Sequence, residues 1–400
     1  MTTSIAKLTK LPPDPLLGLM AAFREDERTG KVDLGVGVFK TASGETPILK
    51  SVKLGEADLY EAEISKVYEG PQGNPGFGPA IAHLALGDDN PALESGRVTA
   101  FAAPGGCGSL GLALGFVRKF NPEASVWLSA PSWPNHAHIC NQMGLTSAAY
   151  PYTGDGEGGV VTAPIIEALK SAAIGDAVLL QGPCHNPTGI DFSDNQWEAI
   201  ADICAERSLF PIIDIAYHGF AKGLDTDLDG VRTFLAKLPE AIVSYSCSKN
   251  FGLYRERAGA LLVQAADAEQ ADVARTHIAS IARATYSMPP AHGAGIVATI
   301  LADPKLTEMW RGEVDEMRGR LVSLRTGFAD ALRAIGHASV AKALTDQNGM
   351  FSILPIIDGG ATQLRENFGI YMPGSGRINI AGLPEDRLDE VASRMATILR

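Results

Sequence analysis

Ser246-Cys247-Ser248-Lys249-Asn250-Phe251-Gly252, with Arg257 eight residues after the lysine, is the stretch that decides the fold class of this chain. The apolar run Ala241-Ile242-Val243 before it predicts a buried strand, so the hydroxyls and the lysine follow the carboxyl end of that strand. An open α/β sheet places its chemistry at this edge. Two serines and an arginine around one lysine can bind a phosphate dianion while the lysine forms an imine, which suits pyridoxal phosphate. A chance Ser-Lys loop would look the same, because short motifs also match by accident.

Polar residues follow two further predicted strands. Asp214 ends the run Pro211-Ile212-Ile213, and Tyr217 comes three residues later. A carboxylate there can pair with a protonated pyridine nitrogen, and the tyrosine can bond the phenolate oxygen of the same ring. After the run Val178-Leu179-Leu180, Asn186 could donate to that oxygen and to a substrate carboxylate. The alternatives are a helix-capping aspartate and a plain Asn-Pro turn.

A glycine-rich stretch, Ala103-Pro104-Gly105-Gly106-Cys107-Gly108-Ser109, precedes the apolar helix predicted from Leu110 to Val117. Backbone N–H groups at such a helix start can bind an anion. The glycines from Gly106 to Gly111 also spell G-x-G-x-x-G, the dinucleotide fingerprint, which expects an acidic residue after the next strand. That strand, Ser125 to Leu128, is followed by Ser129-Ala130-Pro131. A nicotinamide-dependent dehydrogenase is therefore only a remote alternative.

Composition restricts the class of protein. The 400 residues suffice for two domains, and the net charge of -12 without basic clusters argues against a nucleic-acid partner. There is no apolar run of transmembrane length, and after Met1 the first ten residues hold Ile5 and Leu8 among polar residues, without an apolar signal core. Five cysteines without C-x-x-C spacing are typical of reduced thiols. We expect a cytoplasmic protein that binds neither membrane nor metal.

The ordered motifs make a resemblance to one family specific. They are Asp14–Leu19, Leu34–Lys40, Pro131–His136, His185–Gly189, Ser246–Gly252, Tyr286–Pro290, Asn348–Ser352 and Gly376–Gly382. The chain resembles a class I pyridoxal-phosphate aminotransferase of the aspartate and aromatic amino acid subgroup. The resemblance implies the fold-type I α/β architecture, with a large domain built on a mainly parallel seven-stranded sheet flanked by helices and a smaller α/β domain.

The pattern of strands and helices agrees with that architecture. Strand-like runs alternate with helical ones from about residue 98 to 263, which predicts crossover helices over a parallel sheet. A long helix should follow, capped by Asp303 with Pro304 in its first turn and an apolar stripe from Met317 to Leu332. We expect an N-terminal arm over residues 1–14, a large domain over 41–314, and a small domain from 15–40 and 315–400.

The resemblance implies roles for the cofactor-binding residues. Lys249 would hold pyridoxal phosphate covalently and later move the substrate proton, with its pKa lowered by burial and by neighbouring cations. Asp214 would hold the ring nitrogen with His136 behind it, and Tyr217 and Asn186 would contact the phenolate oxygen. Trp133 would stack on the ring. The residues implied for the phosphate are the amides of Gly106 and Cys107, the side chains of Ser246, Ser248 and Arg257, and Tyr68 from a partner subunit. The enzyme would thus be a homodimer with shared active sites.

The resemblance also implies a substrate site. Arg377 would grip the α-carboxylate as a two-bond fork, beside Asn186 and Trp133. Arg283, donated by the partner subunit, would grip a second carboxylate. The alternative for Arg283 is a surface arginine in an Ala-rich helix from Ile278 to Ala284. Gly37, with Val36, would line the same pocket.

Three departures from the family pattern bear on the cofactor and the substrate. Cys107 replaces a hydroxyl residue, and a thiol is a weaker donor to phosphate. Met288 and Val67 are apolar where aspartate-preferring members are often polar. We therefore expect transfer from aromatic amino acids or aspartate to 2-oxoglutarate by a ping-pong mechanism. The alternatives are a strict aspartate aminotransferase and a non-catalytic ligand sensor, which would have lost Lys249 or Arg377.

Overall fold

The computed structural model describes residues 4–12, 14–154 and 159–400. The strands in this part of the chain are β1 (Val32–Asp33), β2 (Val98–Pro104), β3 (Ser125–Ala130), β4 (Thr146–Pro151), β5 (Ala177–Gln181), β6 (Phe210–Ile215), β7 (Ala241–Ser246), β8 (Ala258–Gln264), β9 (Phe351–Ile353), β10 (Ile370–Tyr371) and β11 (Arg377–Asn379). Seven of them form the central sheet, in the order β2-β8-β7-β6-β5-β3-β4.

The central sheet is mainly parallel. Strands β4, β3, β5, β6 and β7 run parallel to one another, whereas β8 lies antiparallel between β2 and β7. Parallel strands need crossover connections, and helices provide them here. The predicted mainly parallel seven-stranded α/β sheet is confirmed. The carboxyl ends of β5, β6 and β7 therefore meet at one edge of the sheet.

The α-helices of the described residues are α1 (Pro15–Glu25), α2 (Lys50–Ala62), α3 (Phe77–Leu86), α4 (Pro91–Glu94), α5 (Gly105–Phe120), α6 (Asn135–Gln142), α7 (Thr162–Lys170), α8 (Asp194–Arg207), α9 (Asp229–Ala236), α10 (Ala268–Thr285), α11 (Ala291–Ala302), α12 (Pro304–Ala334), α13 (Ala338–Thr345), α14 (Gly360–Phe368) and α15 (Leu388–Ala396). Short 3-10 helices cover Ile5–Lys7, Ile380–Gly382 and Glu385–Arg387. No helix in the described part of the chain is long and apolar enough to cross a membrane.

Both faces of the sheet are buried, as its continuous apolar strands require. Ile212 and Ile242 pack into one core, with apolar residues of α5 and α10. Ile213 and Val243, one position along, face the opposite core, which extends to α12. Because every strand residue of β7 and β8 is buried, the polar groups at their ends lie within a rigid frame.

An N-terminal segment pairs with the C-terminal part of the chain, where strand β1 runs parallel to β10. Within the C-terminal part, β9 runs antiparallel to β11. The long helix α12 begins as predicted, with the Asp303 carboxylate accepting hydrogen bonds from the N–H groups of Lys305 and Leu306. The pairing of β1 with β10 supports the predicted grouping of residues 15–40 with the C-terminal part. The domain boundaries themselves remain a prediction, and residues 1–3 and 13 of the predicted arm lie outside the described residues.

Some element bounds differ from the apolar pattern of the sequence. The apolar pattern does not predict β4, whose residues Thr146-Ser147-Ala148-Ala149 lack large apolar side chains. The apolar part of α5 starts at Leu110, whereas the helix itself begins at Gly105, within the glycine run expected to open it. Glycine disfavours helix interiors, so the pattern alone hid this first turn. The consequence is that Gly106 and Cys107 belong to the helix N-terminus itself.

Candidate active site

A cavity of about 280 Å³ lies at the carboxyl ends of β5, β6 and β7. Most of the residues predicted from the sequence line it. Those residues are Gly37, Gly106, Cys107, Trp133, Asn186, Asp214, Tyr217, Ser246, Ser248, Lys249, Arg257 and Arg377. Their positions are separated by up to 340 residues along the chain, so the tertiary structure has gathered them at one edge of the sheet.

Lys249 follows the end of β7 and points towards Tyr217, with its Nζ 4.9 Å from the centre of the tyrosine ring. Burial lowers the pKa of the Lys249 ammonium, and the positive charge of Arg257 acts in the same direction. The carboxylate of Asp214 opposes them by raising that pKa. The direction agrees with the prediction, although burial rather than neighbouring cations is the main cause. A lysine of this kind can act as a nucleophile or a base.

Asp214 lies one residue before the end of β6, and the residue is 8% exposed. The Oδ2 atom is 3.0 Å from Nε2 of the fully buried His136. The other ring nitrogen of His136 lies 2.9 Å from the hydroxyl of Ser132. Asp214 does not cap a helix, because the next helix along the chain is α9. Its role as a supported carboxylate that faces the cavity is the one the geometry favours.

Hydroxyl, guanidinium and amide donors converge at the start of α5. The Ser246 and Ser248 hydroxyl oxygens lie 3.1 Å apart. Arg257 adopts a left-handed backbone with φ of 55°, and its guanidinium donates to the Tyr254 carbonyl at 2.9 Å. A side chain at Gly105 would place its Cβ 2.3 Å from Arg257 Nη2, so this approach requires glycine. Strained backbone of this kind is typical of functional sites.

Arg377 begins β11 and is 9% exposed. Its Nη2 donates to the Gly35 carbonyl at 2.7 Å, and its Nη1 donates to the Asn186 side-chain oxygen at 3.5 Å. Burial lowers its pKa. Within the described residues no carboxylate forms an ion pair with it. A buried guanidinium that lacks a carboxylate is costly, and the same geometry can receive a carboxylate from a bound molecule.

The remaining predicted residues lie away from this cavity. Tyr68 and Val67 are 86% and 75% exposed. Arg283, in the last turn of α10, is exposed and donates to the hydroxyl of Ser287. Met288 is half-buried. Tyr68 and Arg283 therefore do not join Lys249 in this cavity, and their contribution from a partner subunit stays a prediction.

Cys107, which differs from the hydroxyl residue usual in the family, accepts a hydrogen bond in the structure. The thiol lies 3.4 Å from Nδ2 of Asn135, which donates to it from the first turn of α6. Cys107 also borders a second cavity of about 380 Å³, which Thr285 and Tyr286 help to line. The thiol thus stands between the candidate cofactor site and the end of α10.

The structure adds residues that the sequence analysis did not assign. Leu16 lines the cavity because the Asp14 carboxylate caps α1 and fixes its first turn. Phe351 packs against Arg377, with the guanidinium carbon 4.4 Å from the ring centre. Gln181 ends β5 beside Asp214. In the sequence, Gln181 directly follows a run of apolar strand residues, as Asp214 does, and this position could have identified it.

These residues fit pyridoxal phosphate. The hydroxyls of Ser246 and Ser248, the guanidinium of Arg257 and the first amides of α5 can bind its phosphate. Asp214 can pair with its ring nitrogen, and Lys249 lies within the same cavity for covalent attachment. The dinucleotide alternative had only the glycine run in its favour.

Comparison with known proteins agrees with this geometry. The chain is 45% identical over 391 residues to a tyrosine aminotransferase of Rhizobium meliloti (strain 1021), covering 98% of this chain and 99% of the relative. It is 41% identical to an aspartate aminotransferase of Escherichia coli (strain K12), again covering 98% and 99%. The crystal structure of an aromatic-amino-acid aminotransferase from Burkholderia pseudomallei, covalently bound to pyridoxal phosphate, superposes with a TM-score of 0.96 at 38% identity over the whole of both chains. Residues 29–395 match the family model described as aminotransferase class I and II, and the chain belongs to that family.

Proposed function

We propose that this aminotransferase moves the amino group of an aromatic or dicarboxylic L-amino acid (phenylalanine, tyrosine, tryptophan or aspartate) to 2-oxoglutarate in two half-reactions. The cofactor is pyridoxal phosphate. The observation that carries the proposal is the meeting of Lys249, Asp214 and Arg377 in one cavity. A reactive lysine, a carboxylate for the ring and a guanidinium for the α-carboxylate are the groups that transamination requires.

When bound, the cofactor accepts the electron pair released at the substrate α-carbon. Lys249 holds the cofactor and, once released by the substrate, moves the proton to and from that carbon. Its lowered pKa leaves a larger neutral fraction for this work at physiological pH. Asp214 would keep the ring nitrogen protonated, and Tyr217 and Asn186 would bind the phenolate oxygen. Trp133, half-buried at the edge of the cavity, would cover one face of the ring.

The substrate is held by its carboxylate. Arg377 is already oriented by Gly35 and Asn186, so binding a carboxylate costs little side-chain entropy. The fork of Arg377, with Asn186 beside it, would hold the α-carboxylate in the same cavity that Lys249 lines. Gly37 leaves room above the site, because a Cβ there would lie 3.0 Å from the ring of Phe351.

We propose that the protein is a homodimer in which Tyr68 and Arg283 complete the partner's site. Both residues are exposed in one subunit and lie outside its cavity. The segment that carries Tyr68 also exposes Tyr60, Ile64 and Val67, at 76%, 98% and 75%. A cluster of exposed apolar side chains is typical of a protein interface. Tyr68 would then reach the phosphate, and Arg283 would bind a second carboxylate.

The substrate range follows from the residues around that second site. Met288 and Val67 add apolar surface, which favours aromatic side chains. Retention of Arg283 favours aspartate and 2-oxoglutarate, which carry a second carboxylate. Relatives at 45% and 41% identity carry the names tyrosine and aspartate aminotransferase, so both donor classes occur close to this chain. We propose dual specificity for small-molecule amino acids and 2-oxo acids, in a cytoplasmic homodimer that binds neither nucleic acid nor membrane.

Loading the purified protein with pyridoxal phosphate tests the proposed chemistry. A yellow protein is expected, and borohydride should fix the label to Lys249, as peptide mass mapping would show. A panel of donors against 2-oxoglutarate should then give activity with both phenylalanine and aspartate. A colourless protein, or label on another lysine, would overturn the assignment, and activity with aspartate alone would establish the strict aspartate alternative.

Mixed dimers test the shared site. The Lys249→Ala and Arg283→Leu proteins are each expected to be poor with aspartate. In a heterodimer of the two, one site combines Lys249 of the second subunit with Arg283 of the first. Aspartate activity of the mixture should therefore rise well above the sum of the parents. If each site used its own subunit's Arg283, no site in the heterodimer would be complete and activity would not recover.

A further inference from the structure

Gln181 has no role in the chemistry described above, yet it is placed between two groups that have one. It is the last residue of β5, is 8% exposed, and pairs in register with Asp214 on β6. It also borders the cavity on the side of Asn186. A buried amide at this edge requires hydrogen-bond partners, and their identity shows what it orients.

The Gln181 amide holds the main chain of Asn186 at both of its polar groups. Its Nε2 donates to the Asn186 carbonyl at 2.9 Å, and its Oε1 accepts from the Asn186 N–H at 2.9 Å. A neutral side chain that donates and accepts in this manner must be an amide. The two bonds fix which end of the amide is nitrogen. They also fix the backbone from which the Asn186 side chain reaches Arg377.

The second hydrogen of Nε2 extends the contact in the other direction. It points to the Ser132 hydroxyl at 3.5 Å, a longer and weaker bond than the first two. Ser132 lies 2.9 Å from Nδ1 of His136, and Nε2 of His136 lies 3.0 Å from the Asp214 carboxylate. Gln181 is thus joined to Asn186 on one side and, through two residues, to Asp214 on the other.

The Gln181 amide and the Asp214 carboxylate favour the same order of donors. Nε2 of Gln181 can only donate, so the Ser132 oxygen accepts and its hydrogen is free to point at His136. Nδ1 of His136 then accepts, which leaves the proton on Nε2, where it donates to the Asp214 carboxylate. The amide therefore selects the histidine tautomer that Asp214 needs.

We propose that Gln181 is a positioning residue that fixes the Asn186 backbone and selects the Nε2–H tautomer of His136, so that Asp214 and Asn186 act together on the cofactor ring. The proposal rests on the proposed function, since both ends of the chain of hydrogen bonds serve pyridoxal phosphate. Gln181 itself touches neither the substrate nor the reacting atoms in this scheme.

Three variants test separately whether Gln181 fixes the Asn186 backbone and whether it selects the His136 tautomer. Gln181→Met keeps the length of the side chain and removes every hydrogen bond. Gln181→Glu keeps an acceptor for the Asn186 N–H, but its carboxylate would take the Ser132 hydrogen and reverse the order of donors. Ser132→Ala leaves the two bonds to Asn186 intact and breaks the connection to His136. Circular dichroism and thermal unfolding of the loaded proteins check that each variant folds.

The main measurement is the pH titration of the absorbance of the lysine-bound cofactor, without substrate. The hydrogen bond from His136 makes the Asp214 carboxylate less basic. Without it the carboxylate would draw the shared proton away from the ring nitrogen, so the imine becomes easier to protonate and the midpoint of the titration should rise. We expect a rise of about half a pH unit or more for Gln181→Met and Ser132→Ala, on the scale of one neutral hydrogen bond. Only the two Gln181 variants should also release the cofactor faster, because Ser132→Ala preserves the Asn186 contacts.

Unchanged midpoints in folded Gln181→Met and Gln181→Glu proteins would overturn the proposal, even if their thermal stability fell. A shift in Gln181→Met that Ser132→Ala does not share would also overturn it, because the tautomer could not then be selected through Ser132. Failure of the parent protein to bind pyridoxal phosphate at Lys249 would instead reject the proposed function, so the two failures are distinguishable.

Discussion

The guanidinium of Arg377 lies over the ring of Phe351, with the central carbon 4.4 Å from the ring centre. Cation–π contact of this kind fixes the plane of the guanidinium. The hydrogen bond from Nη2 to the Gly35 carbonyl, at 2.7 Å, then fixes its rotation within that plane. The remaining N–H groups are therefore oriented before any carboxylate arrives, and preorganisation of this sort is a recurrent source of catalytic power.

Replacement of Arg377 by lysine should strongly lower the activity with every amino donor. A lysine keeps the charge but cannot form the two-bond fork or stack on Phe351 in the same plane. We expect kcat/KM to fall by about 10-fold to 1000-fold for every amino donor, the range given by the loss of about 1.5–4 kcal/mol. Steady-state kinetics with phenylalanine and aspartate would measure it. Equal activity of the lysine variant would show that Arg377 does not bind the α-carboxylate.

Arg283→Leu should separate the two donor classes. Aspartate loses the charged partner of its second carboxylate, and we expect its kcat/KM to fall by about 30-fold or more. Phenylalanine has no such charge and should change little. Because 2-oxoglutarate also carries a second carboxylate, each donor half-reaction should be followed alone by stopped-flow absorbance.

Arg377→Leu is the control for this comparison, since it should damage both donors alike. A phenylalanine half-reaction slowed as much as the aspartate one in Arg283→Leu would make Arg283 a structural residue. Dual specificity would then lose its main support.

Cys107→Thr should tighten cofactor binding modestly. A hydroxyl is a better donor to phosphate than a thiol, and the gain should be about 1 kcal/mol, or roughly a 5-fold slower cofactor release. The thiol now accepts a hydrogen bond from Asn135. Cys107→Ala serves as the matched control, because it removes the thiol without adding a donor. Faster release from the threonine variant would show that residue 107 does not face the phosphate.

His218 should make the protein sensitive to acid. It is 1% exposed, lies 2.9 Å from the Tyr245 hydroxyl and donates to the Leu224 carbonyl, and burial lowers its pKa from 6.5 to about 4. Since the folded value is below the unfolded one, the unfolded state binds more protons between these limits. The contribution of neutral His218 is complete above pH 6.5 and falls by up to about 3 kcal/mol towards pH 4.

Thermal unfolding of the wild type and of His218→Gln between pH 7 and pH 4.5 would measure this effect. The glutamine variant can be less stable at pH 7, but its Tm should fall less on acidification. The other buried histidine with a lowered pKa, His185, titrates equally in both proteins and cancels. Parallel Tm curves would contradict the prediction.

Much of the candidate site could be predicted from the sequence because its residues follow apolar strands. Asp214, Ser246 and Lys249 come at or just after the ends of β6 and β7, and parallel strands bring their carboxyl ends to one edge. Asp303 and Pro304 likewise predicted the start of α12. In each case a local rule of strand length or helix capping was sufficient, since no distant contact competes with it.

Strand β4 and the first turn of α5 could not be predicted in the same way. Small residues in β4 give a weak apolar pattern, so the strand forms because β3 offers hydrogen bonds along its edge. Gly105 begins the helix with a left-handed φ of 65°, and the guanidinium of Arg257 occupies the space beside it. Pairing and close approach involve residues far apart in sequence, which no local pattern contains.

The sequence by itself determined the family, the mainly parallel sheet and the identity of Lys249, Asp214 and Arg377 as candidate site residues. Only the tertiary structure decided how their neighbours orient them. Phe351 lies 26 residues before Arg377 and Gln181 lies 33 residues before Asp214, yet each lies beside its partner in space. The physical reason is that hydrogen-bond direction and ring stacking depend on distances of a few ångströms, and these are fixed by packing of the whole chain.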